Sequence, residues 1–162
     1  VRDAAAVLGP LAEVDRIQIS IEQSAPLWVV GDRDELTQVF QNLVHNAIKY
    51  GREGGTVRVR FGTSPGAGRA NPPQVFASVQ DEGEGIAREA IPRLTERFYR
   101  VDIKRSRERG GTGLGLAIVK HILNRHNGRL QIDSVVGQGS TFAVYLPSAS
   151  VQALPVQDRK AV

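Results

Sequence analysis

Hydrophobic and polar positions divide the chain into segments with two periods. Residues 16 to 23 alternate, with Ile17, Ile19 and Ile21 on one side, as a half-buried strand does. A short apolar run, Leu27 to Val30, follows Pro26. From Leu36 the spacing changes to threes and ones: Leu36, Val39, Phe40, Leu43, Val44, Ala47 and Ile48 mark a helix that buries one stripe. Asp32 is placed to cap it, Glu35 to reach back and complete a capping box, and Gly51 to stop it. Alternation returns at 56 to 61 and 74 to 80, two strands joined by a turn-rich connection at 63 to 73 that reads as a mobile hairpin loop. A short helix is expected from about Arg88 to Leu94, and a second strong helix opens within Gly110 to Gly115 and runs to His126, ended by Asn127 and Gly128. The last strands, 129 to 134 and 140 to 146, flank Gly137-Gln138-Gly139 as a hairpin. A helix around Ala6, Val7 and Leu11 is expected at the start, and disorder after Pro147, where periodicity ends.

With 162 residues the chain is long enough for one compact domain. At 41% hydrophobic and 23% charged residues it is neither collagen-like, nor a coiled coil, nor wholly disordered. It has no cysteine, which removes disulfides, thiolate metal sites and cysteine nucleophiles, and no methionine, so it is expected to be part of a longer protein. No apolar run approaches the ~18 residues of a membrane span, and direct membrane contact is not expected. The net charge of +4 raises the question of nucleic acid, but Arg97, Arg100, Lys104, Arg105, Arg107 and Arg109 crowd into one loop, and aromatics are only 6%. A local basic loop without stacking residues disfavours a polynucleotide partner.

Three glycine clusters carry candidate chemistry. Gly111-Thr112-Gly113-Leu114-Gly115 runs into a helix, whose bare N-terminal N–H groups and dipole suit an anion such as phosphate. Leu116 and Ile118 break the dinucleotide fingerprint, and the P-loop spacing is absent, so the two commonest nucleotide folds are disfavoured; a flexible loop with tight helix packing is the alternative. Asn42, Asn46 and Lys49 form a polar stripe on the first long helix, either as an exposed face or with an amide oxygen offered to Mg²⁺ and an ammonium to phosphate. Asp81 ends a strand just before Gly83 and Gly85. It is a turn initiator, or an acceptor for an exocyclic amine, which adenine has and guanine lacks at the corresponding position. His45, His121 and His126 match no zinc spacing and read as structural.

Together these blocks resemble the catalytic ATP-binding domain of sensor histidine kinases, within the superfamily of gyrase, MutL and a heat-shock chaperone. The resemblance covers residues 1 to 147, with 148 to 162 as a tail. Asn42 to Tyr50 is similar to the N box, Asp81 to Ile86 to the first glycine box and Glu96 to Arg100 to the F box. Gly111 to Leu116 is similar to the second glycine box and Gly137 to Thr141 to the third. The stretch that opens with Phe98 to Asp102 and closes with Leu116 to His121 is most similar to phosphate-responsive, PhoR-type sensors. The fold so implied is a two-layer α/β sandwich of the Bergerat type, a mixed sheet covered on one face by helices. The ligands so implied are ATP and Mg²⁺, the metal on Asn46. Lys49 would meet phosphate, Tyr50 would border adenine and Asp81 would bind its amine. Gly83, Gly85, Arg97, Tyr99, Gly111, Thr112, Gly113, Leu114, Gly115, Leu116 and Thr141 complete the implied nucleotide site. Residues 100 to 110 would be a mobile lid bearing Arg100, which with Asn42 and Asn46 would act in catalysis.

The hydrolysing relatives carry a glutamate where this chain has Asn42, and an amide is no general base near neutral pH. Transfer to a side chain is therefore expected rather than gyrase-like hydrolysis, with positioning and charge stabilisation as most of the work. Glu82 stands where many members have Asn, and Glu84 where Pro is frequent; two added carboxylates near phosphates would weaken nucleotide affinity unless they face elsewhere. The histidine that accepts the phosphoryl group in this family, within a His-Glu-Leu-Arg-Thr-Pro-like helix, is absent. The expected partners are therefore a dimerisation hairpin bearing that histidine, in the same kinase, and a response regulator receiver domain. The fragment alone is expected to be monomeric, cytoplasmic within a membrane-anchored bacterial sensor, and unable to autophosphorylate. A nucleotide-binding scaffold without transfer is the alternative.

Overall fold

The computed structural model describes residues 12–13, 16–22, 26–65, 73–101 and 112–149. The expected helix around Ala6, residues 66–72 of the turn-rich connection, lid residues 102–110 and the tail from 150 lie outside them. Five strands, β1 (Gln18–Glu22), β2 (Thr56–Ser64), β3 (Gln74–Gln80), β4 (Arg129–Val135) and β5 (Gly139–Pro147), form one sheet in the order β1-β2-β3-β5-β4. Helices α1 (Arg33–Tyr50) and α2 (Gly115–Arg125) pack on it. β1 and β2 run parallel and every other pair antiparallel, because α1 is the crossover that a parallel pair requires.

Strand alternation decides which face is covered. The register aligns Ile21, Val59, Val79, Phe142 and Ile132 in one row across all five strands. That face meets Val39, Leu43, Val44, Ala47 and Ile48 of α1 and Val119, Ile122 and Leu123 of α2 in a single core. The opposite face carries polar pairs such as Arg60 with Glu22, and Arg129 lies 3.7 Å over the Tyr145 ring. A mixed sheet with helices on one face is the architecture the family resemblance implies.

Several local expectations are corrected. Asp32 Oδ1 accepts from Glu35 N at 2.9 Å, but Glu35 does not reach back; Asp32 N donates instead to His126 Nε2 at 3.0 Å. The helix expected at 88 to 94 is a 3₁₀ turn, Ile91–Arg93, since Pro92 has no N–H for an α-type bond to Arg88. β2 runs three residues past 61 because Ser64 still pairs with Gln74. Leu27 to Val30 contributes only an isolated bridge, Val29 to Ser148. After β5, Ser148 N and Ala149 N bond to Pro73 O and Trp28 O.

Candidate functional site

The polar stripe of α1 emerges at the border of its buried face. Asn42 and Asn46 are half-buried, and Lys49 is only 8% exposed, its ammonium 5.2 Å from the centre of the Tyr50 ring. Lys is almost never buried without a reason, since its charge must be answered. The Asn42 side-chain amide nitrogen is buried and has no hydrogen-bond partner among the described residues. A Cβ on Gly115, the first residue of α2, would lie 3.2 Å from Asn42 Oδ1, so the glycine lets the start of α2 approach α1 at this residue. His45 lies on the exposed side. Partial burial, and secondly the Lys49 charge, hold its imidazole below the usual histidine value, which favours a neutral ring.

Asp81 follows β3 and is 4% exposed. Its Oδ1 accepts from Gly83 N at 2.9 Å and from Ser140 N at 3.3 Å. Burial raises its pKa, and the two main-chain bonds only partly offset this. Close backbone packing builds the surroundings. A Cβ on Gly83 would fall 2.0 Å from Tyr50 O at the end of α1, and one on Gly139, at φ +103, 2.1 Å from Asp81 O. Gly85 packs in the same way on Val135 O. The first and third glycine boxes are therefore one assembly on the end of α1.

Two residues of this assembly are not in the expected set. Ser134 Oγ accepts from Ile86 N at 2.8 Å and lies 3.0 Å from Gly139 O and 2.9 Å from Ser140 Oγ. Ser140, 5% exposed, is the neighbour of Asp81. Thr141, the expected nucleotide contact, pairs with Gln80 and Asp133 and so faces the other side of the sheet. The signal was available, because alternation from Phe142, Val144 and Leu146 already points Ser140 inward.

The second glycine box joins the F box. Phe98 N donates to Gly113 O at 2.9 Å, and Phe98, with φ +64, is 70% exposed. Arg93 lies 4.3 Å over the Tyr99 ring. Tyr99 and Arg100 are half-buried, whereas Arg97 and Thr112 are exposed. Leu114 caps α2 without a side-chain hydrogen bond, so its side chain leaves the first-turn N–H groups of α2 uncapped among the described residues. Leu116 gives its side chain to the core, and Gly111 lies outside the described residues.

Glu82, a departure from the family pattern, faces β2: Oε1 pairs with Arg58 at 2.8 Å and Oε2 accepts from Thr56 N at 3.3 Å. The Thr56 bond first, then Arg58, hold its carboxyl below the usual range. Glu84 is exposed, and its carbonyl accepts from Gly137 N at 2.7 Å. Of the histidines, His121 is exposed on α2 and His126 is held between Asp32 N and Ile122 O. Among the described residues no group of three or more His, Asp or Glu could hold a metal ion. A donor set of amide oxygens suits a hard cation that keeps waters and takes further ligands from phosphates.

Residues 31–150 match the family model for histidine kinase-, DNA gyrase B-, and HSP90-like ATPases. The chain is 46% identical over 134 residues to the phosphate regulon sensor protein PhoR of Pseudomonas aeruginosa, covering 83% of this chain and 29% of that protein. It is 38% identical over 143 residues to the sensor histidine kinase WalK of Bacillus subtilis, covering 83% and 23%. The chain thus spans less than a third of these relatives. Among solved structures, full-length ShkA in complex with AMPPNP superposes with a TM-score of 0.78 at 30% identity, covering 93% of this chain and 29% of that one.

Proposed function

This chain belongs to the family of histidine kinase-, DNA gyrase B- and HSP90-like ATPases, and from that premise we propose that it is the catalytic, ATP-binding part of a sensor histidine kinase. It binds Mg²⁺-ATP and transfers the γ-phosphoryl group to a histidine on a dimerisation hairpin outside this chain, for relay to a response regulator. The observation that carries this reading is the buried Asp81 carboxylate, held through Oδ1 by Gly83 N and Ser140 N beside the end of α1. With one oxygen committed to the main chain, the other accepts from the adenine amine. Burial of an acid is costly, and recognition of a purine amine gives that cost a use.

Along α1 from this point, Tyr50 borders the base, Lys49 answers a phosphate and Asn46 holds Mg²⁺. The N-terminus of α2 receives the phosphate tail through its uncapped N–H groups, with Gly113 to Leu116 contributing backbone. Arg97, Tyr99, Arg100 and Thr112 flank the tail. Mg²⁺, when bound, supplies charge neutralisation at the phosphate oxygens. Asn42 beside Gly115 cannot take a proton from water, so the site favours phosphoryl transfer over hydrolysis. The relatives' names support the kinase reading, and the AMPPNP complex of ShkA supports the nucleotide.

The test mixes this chain with the histidine-bearing hairpin and ATP labelled at the γ-phosphate. Label should appear on the hairpin, none on this chain alone, and free phosphate should accumulate slowly. Steady phosphate release without transfer would make the chain a hydrolase. Binding with neither product would make it a scaffold.

A further inference from the structure

Where Asp32 and Glu35 spell a capping box, the carboxylate turns away from the cap. Glu35 pairs through Oε1 with Arg125, and its Oε2 is buried, accepts no hydrogen bond among the described residues and lies 3.8 Å from His126 Nδ1. The Asp32 N–H goes to His126 Nε2 at 3.0 Å. An Nε2 that accepts carries no proton, so the neutral ring holds its proton on Nδ1, 2.8 Å from Ile122 O. A carboxylate on the Nδ1 side favours that tautomer electrostatically. The ring also lies against bare backbone, since a Cβ on Gly31 would fall 2.6 Å from its Cδ2. The charged groups around it are Glu35 and Asp32 at the start of α1, with Asp34 and Arg33 in the same turn, and Arg125 on α2.

From this geometry we infer that His126, with its tautomer set by Asp32 N and Ile122 O, is a positioning residue for the nucleotide site: it caps α1 from the end of α2 and fixes how far α2 slides along α1. α2 has 11 residues, so its two ends are about 16 Å apart. At the far end the start of α2 meets Asn42, in the polar stripe of α1, at Gly115. Apolar contacts between the helices tolerate small axial shifts, whereas the bonds from Asp32 N and Glu35 to residues 125 and 126 do not. A polar latch at one end therefore sets phosphate-site geometry at the other. This inference rests on the nucleotide-site reading above.

Three measurements on this chain test it: ring ¹⁵N spectra of His126, AMPPNP affinity by calorimetry well below the melting temperature, and the melting temperature itself. The ring should be protonated on Nδ1 alone, and should stay so in Glu35→Gln, because the bonds at Asp32 N and Ile122 O remain. Loss of one neutral hydrogen bond predicts roughly three- to tenfold weaker AMPPNP binding in His126→Ala. His126→Gln keeps an acceptor near the Nε2 position and should recover most of that affinity. Unchanged affinity in a folded His126→Ala, or a ring protonated on Nε2, would overturn the inference. Should His126→Ala not fold, the glutamine variant and the ring spectrum decide. If the unaltered chain binds no AMPPNP, the nucleotide reading fails, and the ring tautomer with the Asp32 amide shift still decides the latch.

Discussion

Replacing Asp81 with asparagine should move nucleotide affinity and fold stability in opposite directions. The carboxylate is 4% exposed and its pKa is raised by burial, with the bonds from Gly83 N and Ser140 N insufficient to reverse the shift. An acid whose folded pKa lies above its unfolded value binds protons first in the folded state, so its ionisation opposes folding as pH rises through the folded value. Asp81→Asn removes that ionisation and keeps the shape. The amide oxygen stays with the two N–H donors, because turning the amide would set its NH₂ against them. The chain should melt no lower than the unaltered protein at pH 7, and its stability should increase less on acidification. The NH₂ then points where the adenine amine arrives, donor against donor. Loss of a charged hydrogen bond, about 1.5 to 3 kcal/mol, corresponds to roughly ten- to a hundredfold weaker binding. Calorimetric titration with AMPPNP, paired with thermal melts from pH 4 to pH 7, reads both signs. Unchanged affinity would remove Asp81 from the adenine site. A large drop in melting temperature with the affinity loss would show that the substitution acts through folding, and the argument from burial would be wrong.

Asn46→Ala should abolish most transfer to the hairpin while shifting the melt little, because Asn46 borders the core stripe without belonging to it; an early melt with normal transfer contradicts this. Gly137→Ala and Gly139→Ala should separate strain from collision. The first, at φ +83 with open space around it, should cost ~1 to 2 kcal/mol in urea unfolding, the second clearly more, because Asp81 O stands 2.1 Å from the added atom; equal costs would refute the distinction. His45 has a lowered folded pKa, so the unfolded chain protonates first and the stability His45 contributes above its ordinary value of 6.5 is lost as pH falls below it. His45→Gln should flatten the melting-temperature slope between pH 7 and 5, and an unchanged slope would assign that loss to other groups.

What could be read from the chain follows the range of the forces involved. α1 was legible because its stripe, its Asp32 cap and its stop at Gly51 lie within 20 residues, and the alternation of β2, β3, β4 and β5 marked each strand's inner face. The completion of its cap was not, since the acceptor for Asp32 N is 94 residues away and nothing local distinguishes His126 from a surface histidine. The 3₁₀ turn at Ile91–Arg93 could have been anticipated from Pro92. The extension of β2 to Ser64 depends on its partner Gln74, which no pattern within β2 encodes.

At the site, residue types were legible and their partners were not. Glu82 reads in sequence as an extra negative charge beside phosphate; only the fold brings Arg58 and Thr56 N to it. Ser134 looks like any strand serine until β4 and β5 pair and its hydroxyl meets Ile86 N and the Gly139 carbonyl. Thr141 and Ser140 show that a motif names a pair of candidates, whereas strand parity selects one. The residue that shares a face with Phe142 is the one whose main chain bonds Asp81, whichever of the two the family pattern emphasises. Ser140→Ala spares the backbone bond to Asp81 and removes only the hydroxyl contact with Ser134. It therefore separates the role of the main chain, on which Asp81 depends, from that of the side chain, which adds one contact to the Ser134 hydroxyl that ties the two glycine boxes through Ile86 N and Gly139 O.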